Sequence, residues 1–304
     1  MTVYGSVARL PRNPGFRRER WELPDGDFLD VDRLPGAGPD APLVVICHGL
    51  EGSSRSGYVV GLAEELAARG IAVLAMNFRG CSGELNRLPR FYHSGETGDL
   101  RHVMARLSAE RPRRALGLAG FSLGGNVAVK FLAEGRAPEE LRAAAVVSVP
   151  FDLGLCCRAI DAPGLAAWIY RERFLRRLRR KALAKARRFP AKIDSGAVAR
   201  AQRLKDFDDA VTAPLHGFAD AVDYYTRSSS GPLVHRVDRP LFVLHAADDP
   251  LIPPEAMPPP GDNANVTWEI HRAGGHVGFV SGPPWRPRRF AEARVARVLA
   301  EGLR

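Results

Sequence analysis

The chain has 304 residues, 45% of them hydrophobic, enough to bury one large core or one core with an insertion. No apolar run approaches the roughly 18 residues that a membrane-crossing helix needs, and Met1 to Arg20 carries arginines without the apolar stretch of a secretory leader. The net charge of +10 is local: Arg171 to Lys192 holds eight Arg and three Lys against Glu172, itself +10, which leaves the remainder close to neutral. Cys47, Cys81, Cys156 and Cys157 show no zinc-type spacing, and an adjacent pair makes a strained disulfide. Free thiols in a reducing, cytoplasmic setting are expected.

In chain order, Arg17 to Asp32 reads as two edge strands joined through Pro24-Asp25-Gly26. Leu43-Val-Val-Ile-Cys47 is apolar throughout, as in a strand covered on both faces, and runs into His48-Gly49-Leu50-Glu51-Gly52. A helix follows from Ser53 to Leu66, then a second buried strand over Ile71–Met76 and a helix over Asp99–Ala109. Ala115–Ala119 has strand length and leads through Gly120-Phe121-Ser122-Leu123-Gly124 into a helix read over Asn126–Leu132. Ala143–Val149 is another strand. The alternation stops after Pro150, and residues 151–235 read as helical and strongly basic. Strands resume at Pro240–His245 and Asn265–Ile270, and Arg288–Leu303 closes the chain as an amphipathic helix. This rhythm predicts a doubly wound, mostly parallel α/β sheet built from residues 1–150 and 236–304, with 151–235 as a helical cap insertion. Right-handed crossovers would gather the Gly-rich loops along one edge, where active sites collect.

A serine between glycines at a strand-to-helix turn has the form of a nucleophile elbow. The turn is too tight for side chains beside Ser122, and the new helix aims free N–H groups at the reacting centre. Such a serine needs a base, an acid that orients the base, and oxyanion donors. The partners are expected in the order acid then histidine, on loops after later strands. The loop after His245 supplies Asp248-Asp249-Pro250-Leu251-Ile252-Pro253, and the loop after the last strand supplies Gly274-Gly275-His276. His276 is read as the base. Asp249, ahead of Pro-Leu-Ile-Pro, is read as the acid, with Asp248 as the alternative. Backbone N–H groups of Leu50 and Leu123 are candidate oxyanion donors, and His48 is then structural. His93, His102, His216 and His235 are read as surface or cap residues, His245 and His271 as packing or hydrogen-bonding groups at strand ends.

Taken together, LPDGDFLDVD, HGLEGSSRSGYV, NFRGCSGELNRLPRFYHSGETGDL, GFSLGGNV, LKDFDDAVTAPLHGFADAVDYY, HAADDPLIPPEAMP and GGHVGFV resemble the YheT-like branch of the α/β-hydrolase family over almost the whole length. The resemblance implies an α/β-hydrolase fold and an esterase or lipase acting on carboxylic esters, small or lipid, without metal or organic cofactor. It also implies Ser122 as nucleophile, Asp249 as acid and His276 as base. Acyltransferase or thioesterase chemistry by the same triad is the neighbouring alternative. Family members usually carry a Gly-His-Leu-Gln-Thr-like stretch near the start, whereas this chain opens with Thr2-Val3-Tyr4-Gly5.

In the basic segment, Leu175, Leu178, Ala182, Ala186 and Phe189 recur at spacings of three and four and define one apolar helical face. The expected arrangement packs that stripe on the body with charges toward water. Contact with an anionic membrane surface is a further expectation, on which a vestigial site would leave only a surface-binding protein. Nucleic acid fits poorly, because aromatic residues do not interleave the run and no nucleic-acid motif is present.

Overall fold

The computed structural model describes residues 13–259, 261, 263–281 and 288–304; Thr2 to Gly5 lie outside them. Strands β1 (Arg17–Glu22), β2 (Phe28–Leu34), β3 (Leu43–Cys47), β4 (Ala72–Met76), β5 (Leu116–Phe121), β6 (Leu141–Val147), β7 (Leu241–Ala246) and β8 (Val266–His271) form one sheet. Their order is β1-β2-β4-β3-β5-β6-β7-β8. From β4 to β8 every pairing is parallel, while β1–β2 and β2–β4 are antiparallel. This is the doubly wound, mostly parallel sheet that the alternation predicted, in the arrangement that the α/β-hydrolase resemblance implied. One expectation changes: β1 is an edge, but β2 is interior. Its Leu29 and Val31 enter the core, while Asp30 and Asp32 on the opposite side are held by Arg20 and Arg18.

Period-two alternation along β3 sorts its side chains onto two cores. Leu43, Val45 and Cys47 join one, Val44 and Ile46 the other. Helix α1 (Gly57–Ala67) covers the second core with Val59, Leu62 and Leu66, beside Val295 and Leu299 of the closing helix Phe290–Gly302. Helices α2 (Gly98–Glu110) and α3 (Leu123–Ala133) cover the first through Leu100, Val103, Leu107, Val127 and Phe131. Both faces are thus sealed, and the loops at the strand C-termini share one edge.

Between β6 and β7 the chain leaves the sheet for α4 (Leu153–Asp161), α5 (Leu165–Arg188), α6 (Ser195–Arg200), α7 (Leu204–Phe207), a π-helical turn Asp208–Thr212, α8 (Ala213–His216) and α9 (Ala221–Ser228). At 24 residues, α5 is about 36 Å long. Leu175, Ala182 and Ala186 are buried and pack with Ile193, Val198, Phe207 and Val211, while Leu178 and Phe189 are half-buried. Lys185 departs from the reading of outward-facing charges, since its side chain is fully buried.

Candidate active site

Strand β5 delivers Ser122 to the sheet edge in a backbone conformation that few non-glycine residues adopt, φ 51° and ψ −122°. A Cβ on Gly120 would sit 2.6 Å from the Gly124 carbonyl oxygen, and one on Gly124 would sit 2.5 Å from the carbonyl oxygens of Cys47 and His48. Both glycines are therefore required by contact. Helix α3 begins at Leu123 itself, three residues before the helix read from Asn126, with the Ser122 carbonyl accepting from the Gly125 and Asn126 N–H groups. Periodicity missed that first turn because Gly124 and Gly125 carry no side chain to mark a face. Glu51, Ser148, Val277 and Phe279 on adjoining loops also hold positive φ. Strain of this kind costs about 1–3 kcal/mol per residue and gathers where a site is over-determined by its surroundings.

Ser122, His276 and Asp249 lie in one hydrogen-bonded row. His276 Nε2 is 2.9 Å from Ser122 Oγ, and His276 Nδ1 is 2.9 Å from Asp249 Oδ2 and 3.2 Å from Oδ1. An ionised carboxylate only accepts, so Nδ1 carries the proton and Nε2 is left to accept from the serine hydroxyl. Burial works to raise the Asp249 carboxyl, but the charge and hydrogen bond of His276 and the Leu251 N–H outweigh it and hold the group below the ordinary carboxylate value. Asp248 faces elsewhere: its Oδ1 accepts from the N–H groups of Gly274 at 2.8 Å and Gly275 at 2.7 Å. One acid meets the imidazole, and the other ties down the loop that carries it.

The loop after β3 lies against the serine, close enough that a Cβ on Gly49 would be 3.1 Å from Ser122 Cβ. His48 is fully buried, and burial pushes it down to about 4, so the ring is neutral at pH 7. Its Nε2 accepts from the Phe78 N–H, so Nδ1 donates to the Gly49 carbonyl at 2.7 Å. Tyr58 Oη accepts from the Gly49 N–H and Tyr92 Oη from the Glu51 N–H. From α5, Arg177 donates to the Glu51 carbonyl and Lys181 pairs with the Glu51 carboxylate at 2.9 Å. The polar groups of Gly49 and Glu51 on either side of Leu50 are thereby held, while the N–H groups of Leu50 and Leu123 have no acceptor among the described residues.

Ser122 opens onto a partly open cavity between the sheet edge and the helices of residues 151–235. Its wall is mainly apolar, with Leu153, Ile160, Phe174, Leu178, Phe207 and Leu251 prominent among the lining residues. His93 and His216, read from sequence as surface or cap residues, instead line this cavity with ring centroids 4.5 Å apart, and burial pushes both down to about 3. With Glu96 they are the one group among the described residues with metal-ligand chemistry, their ligand atoms within 4.8 Å of one another. Arg90 and the Gly98 N–H already hold the Glu96 carboxylate, and the neighbouring Arg90, Lys130 and Arg227 charges oppose a cation there. Asn126 is a further residue that sequence reasoning passed over. Its amide donates to the carbonyls of Ser94 and Ser228 and accepts from the Ser230 N–H, joining the start of α3 to the loop before α2 and to the end of α9.

The family described as the alpha/beta hydrolase fold matches residues 42–283. YheT of Escherichia coli, which is named as an esterase, is 38% identical over 91% of this chain and 82% of its own. The human phospholipase ABHD3 is 30% identical over 88% of this chain and 67% of its own, and the monoacylglycerol lipase of Saccharomyces cerevisiae 29% identical over 95% and 66%. Among solved structures, an esterase of Pyrococcus furiosus superposes with a TM-score of 0.60 at 19% identity, covering 97% of this chain and 95% of that one, a likeness of fold. The strand order, the elbow and these relatives converge: the chain belongs to the YheT-like branch of the α/β-hydrolase family.

Proposed function

We propose that this hydrolase cleaves carboxylic esters through Ser122, His276 and Asp249. The observation that carries the reading is the unbroken row from Asp249 through His276 to Ser122 Oγ at a strained elbow. Ser122 Oγ attacks the ester carbonyl carbon as its proton passes to His276 Nε2, and Asp249 stabilises the imidazolium. The tetrahedral oxyanion takes N–H groups from Leu50 and Leu123, a contribution of about 3–4 kcal/mol per donor in comparable sites. Collapse breaks the carbon–oxygen bond to the alcohol, which leaves with the proton from His276. Water, deprotonated by the same imidazole, then releases the acid from the acyl-serine. The apolar cavity suits an acyl chain, so lipid esters are the favoured substrates, in keeping with the phospholipase and monoacylglycerol lipase among the relatives. Residues 151–235 act as the cap that supplies much of that wall.

The test is labelling and turnover. A fluorophosphonate should attach to Ser122, and Ser122→Ala should lose ester hydrolysis by about a millionfold, as removal of the nucleophile does in a comparable triad, with unchanged circular dichroism. Wild-type turnover in folded Ser122→Ala protein would overturn the assignment.

A further inference from the structure

Nine of the eleven cations of residues 171–192 fall into two sets, apart from Arg188, which lies over the Phe189 ring, and Lys192, beyond the end of α5. Arg171, Arg177, Arg179, Lys181 and Lys185 are committed inward, to the carbonyls of Ile160 and Ala162, to Glu51, to Glu172 and Ala201, and to the carbonyls of residues 88–90. Arg173, Arg176, Arg180 and Arg187 are exposed and make no hydrogen bond or ion pair among the described residues. On α5 those four continue a line that begins with Leu165 and Ile169. The spacings of four, four, three, four and seven place all six on one helical strip. Its apolar end is unusually bare: Leu165 is 74% exposed, Ile169 43%, and Trp168 beside them 51%. The opposite face of α5 supplies Phe174, Leu178 and Lys181 to the cavity wall. One helix therefore separates the cavity from this strip.

An exposed helix that pairs Trp, Leu and Ile with a run of unpaired arginines matches the two ingredients of interfacial binding, apolar area and attraction to anionic headgroups. Tryptophan also favours the headgroup level of a bilayer. Acidic groups do not oppose the strip, since Glu172 is the single acid in α5 and is occupied by Arg179. We propose that the outer strip of α5 docks on an anionic phospholipid surface, with Leu165, Trp168 and Ile169 entering the headgroup region and Arg173, Arg176 and Arg180 meeting lipid phosphates. The cavity then lies one helix diameter, about 10 Å, from the bilayer. The protein needs no spanning segment for this, and no described helix is long and apolar enough to be one.

The experiment uses full-length Ser122→Ala protein, so that docking is read without hydrolysis and independently of the proposed reaction. It should sediment with vesicles of equal parts phosphatidylcholine and phosphatidylglycerol, stay in solution with phosphatidylcholine alone, and be released as salt shortens the screening length. Replacing Arg173, Arg176 and Arg180 by Gln should weaken partitioning about a hundredfold, since each cation near such a surface strengthens binding about fivefold. Trp168→Ser with Ile169→Ser should weaken binding on anionic vesicles at every salt concentration. Because all five positions face solvent or its margin, circular dichroism should be unchanged. Wild-type-like binding by the triple Gln variant, equal binding to neutral and anionic vesicles, or no binding at low salt would each overturn the proposal. Tighter binding to duplex DNA than to anionic vesicles would replace the lipid surface by nucleic acid.

Discussion

Asp249 accepts from the His276 ring, whereas Asp248 accepts two backbone N–H groups from the turn that presents that ring. The two carboxylates should respond differently to the same substitution. Asn at 249 can present an N–H to the imidazole and so favour the tautomer in which Nε2 no longer accepts from Ser122, a change worth roughly 10⁴ in kcat in a comparable triad. Asn at 248 keeps an acceptor oxygen for Gly274 and Gly275, so Asp248→Asn should stay within a few-fold of the parent. Asp248→Ala removes the anchor and should cost more than Asp248→Asn, with part of the loss in positioning His276. Steady-state kinetics on one soluble ester with the three variants orders them. A larger loss in Asp248→Asn than in Asp249→Asn would assign the imidazole partner to Asp248.

Along α5, Arg177, Lys181 and Lys185 recur every four residues and reach the core loops as a row. Burial works against the Lys181 ammonium, yet Cys81 and the Glu51 carboxylate beside it raise its pKa. Lys185 Nζ donates to Asn86 Oδ1 at 2.6 Å and to the carbonyls of Leu88 at 2.5 Å and Arg90 at 2.8 Å. Arg177 and Lys181 both grip Glu51, the residue after Leu50, in a conformation with φ 55° that relaxation would abandon. Lys181→Met should therefore misaim the Leu50 N–H: kcat falls, by up to the 10²–10³ that loss of an oxyanion donor costs, while KM changes little and Lys181→Arg recovers part of the rate. A rise in KM at constant kcat would instead make Lys181 only part of the cavity wall. The sequence did not disclose this row. Lys181 and Lys185 sit in a run of cations that looks uniformly solvated, and their partners Glu51 and Asn86 are 130 and 99 positions away. The apolar stripe was legible because periodicity is local; the inward cations depend on loops that only the fold brings near.

At the scale of the whole molecule, the sheet was readable because strands buried on both faces are apolar almost end to end, and β3 and β5 have no position to spare for a charge. The antiparallel insertion of β2 between β1 and β4 was not readable, since pairing order leaves no trace in a single strand's composition. Ser122 and His276 were recognisable from glycines and from their place after particular strands. The Pro-Leu-Ile-Pro after Asp249 favoured it over Asp248, but that signal leaves the direction of the two carboxylates open; in the fold Asp249 meets the His276 ring and Asp248 the Gly274 and Gly275 N–H groups. The cavity was also invisible in the sequence, as its wall is assembled from the core loops and from helices α4, α5, α7 and α9. That joint construction makes a specific demand on activity. If the acyl chain occupies the space beneath α5, kcat/KM should rise with chain length until the cavity is filled, each added buried methylene contributing about 0.8 kcal/mol at most. Leu178 is half-buried on α5 and lines the cavity, so Leu178→Trp should shorten the usable space without entering the closely packed sheet core. Long-chain esters should then lose at least about tenfold in kcat/KM, the worth of two methylenes, while acetate and butyrate esters keep their rates. A p-nitrophenyl ester series measured on both proteins reads this directly. Equal losses at every chain length would place the acyl group outside this cavity and leave α5 as a cover over the alcohol side.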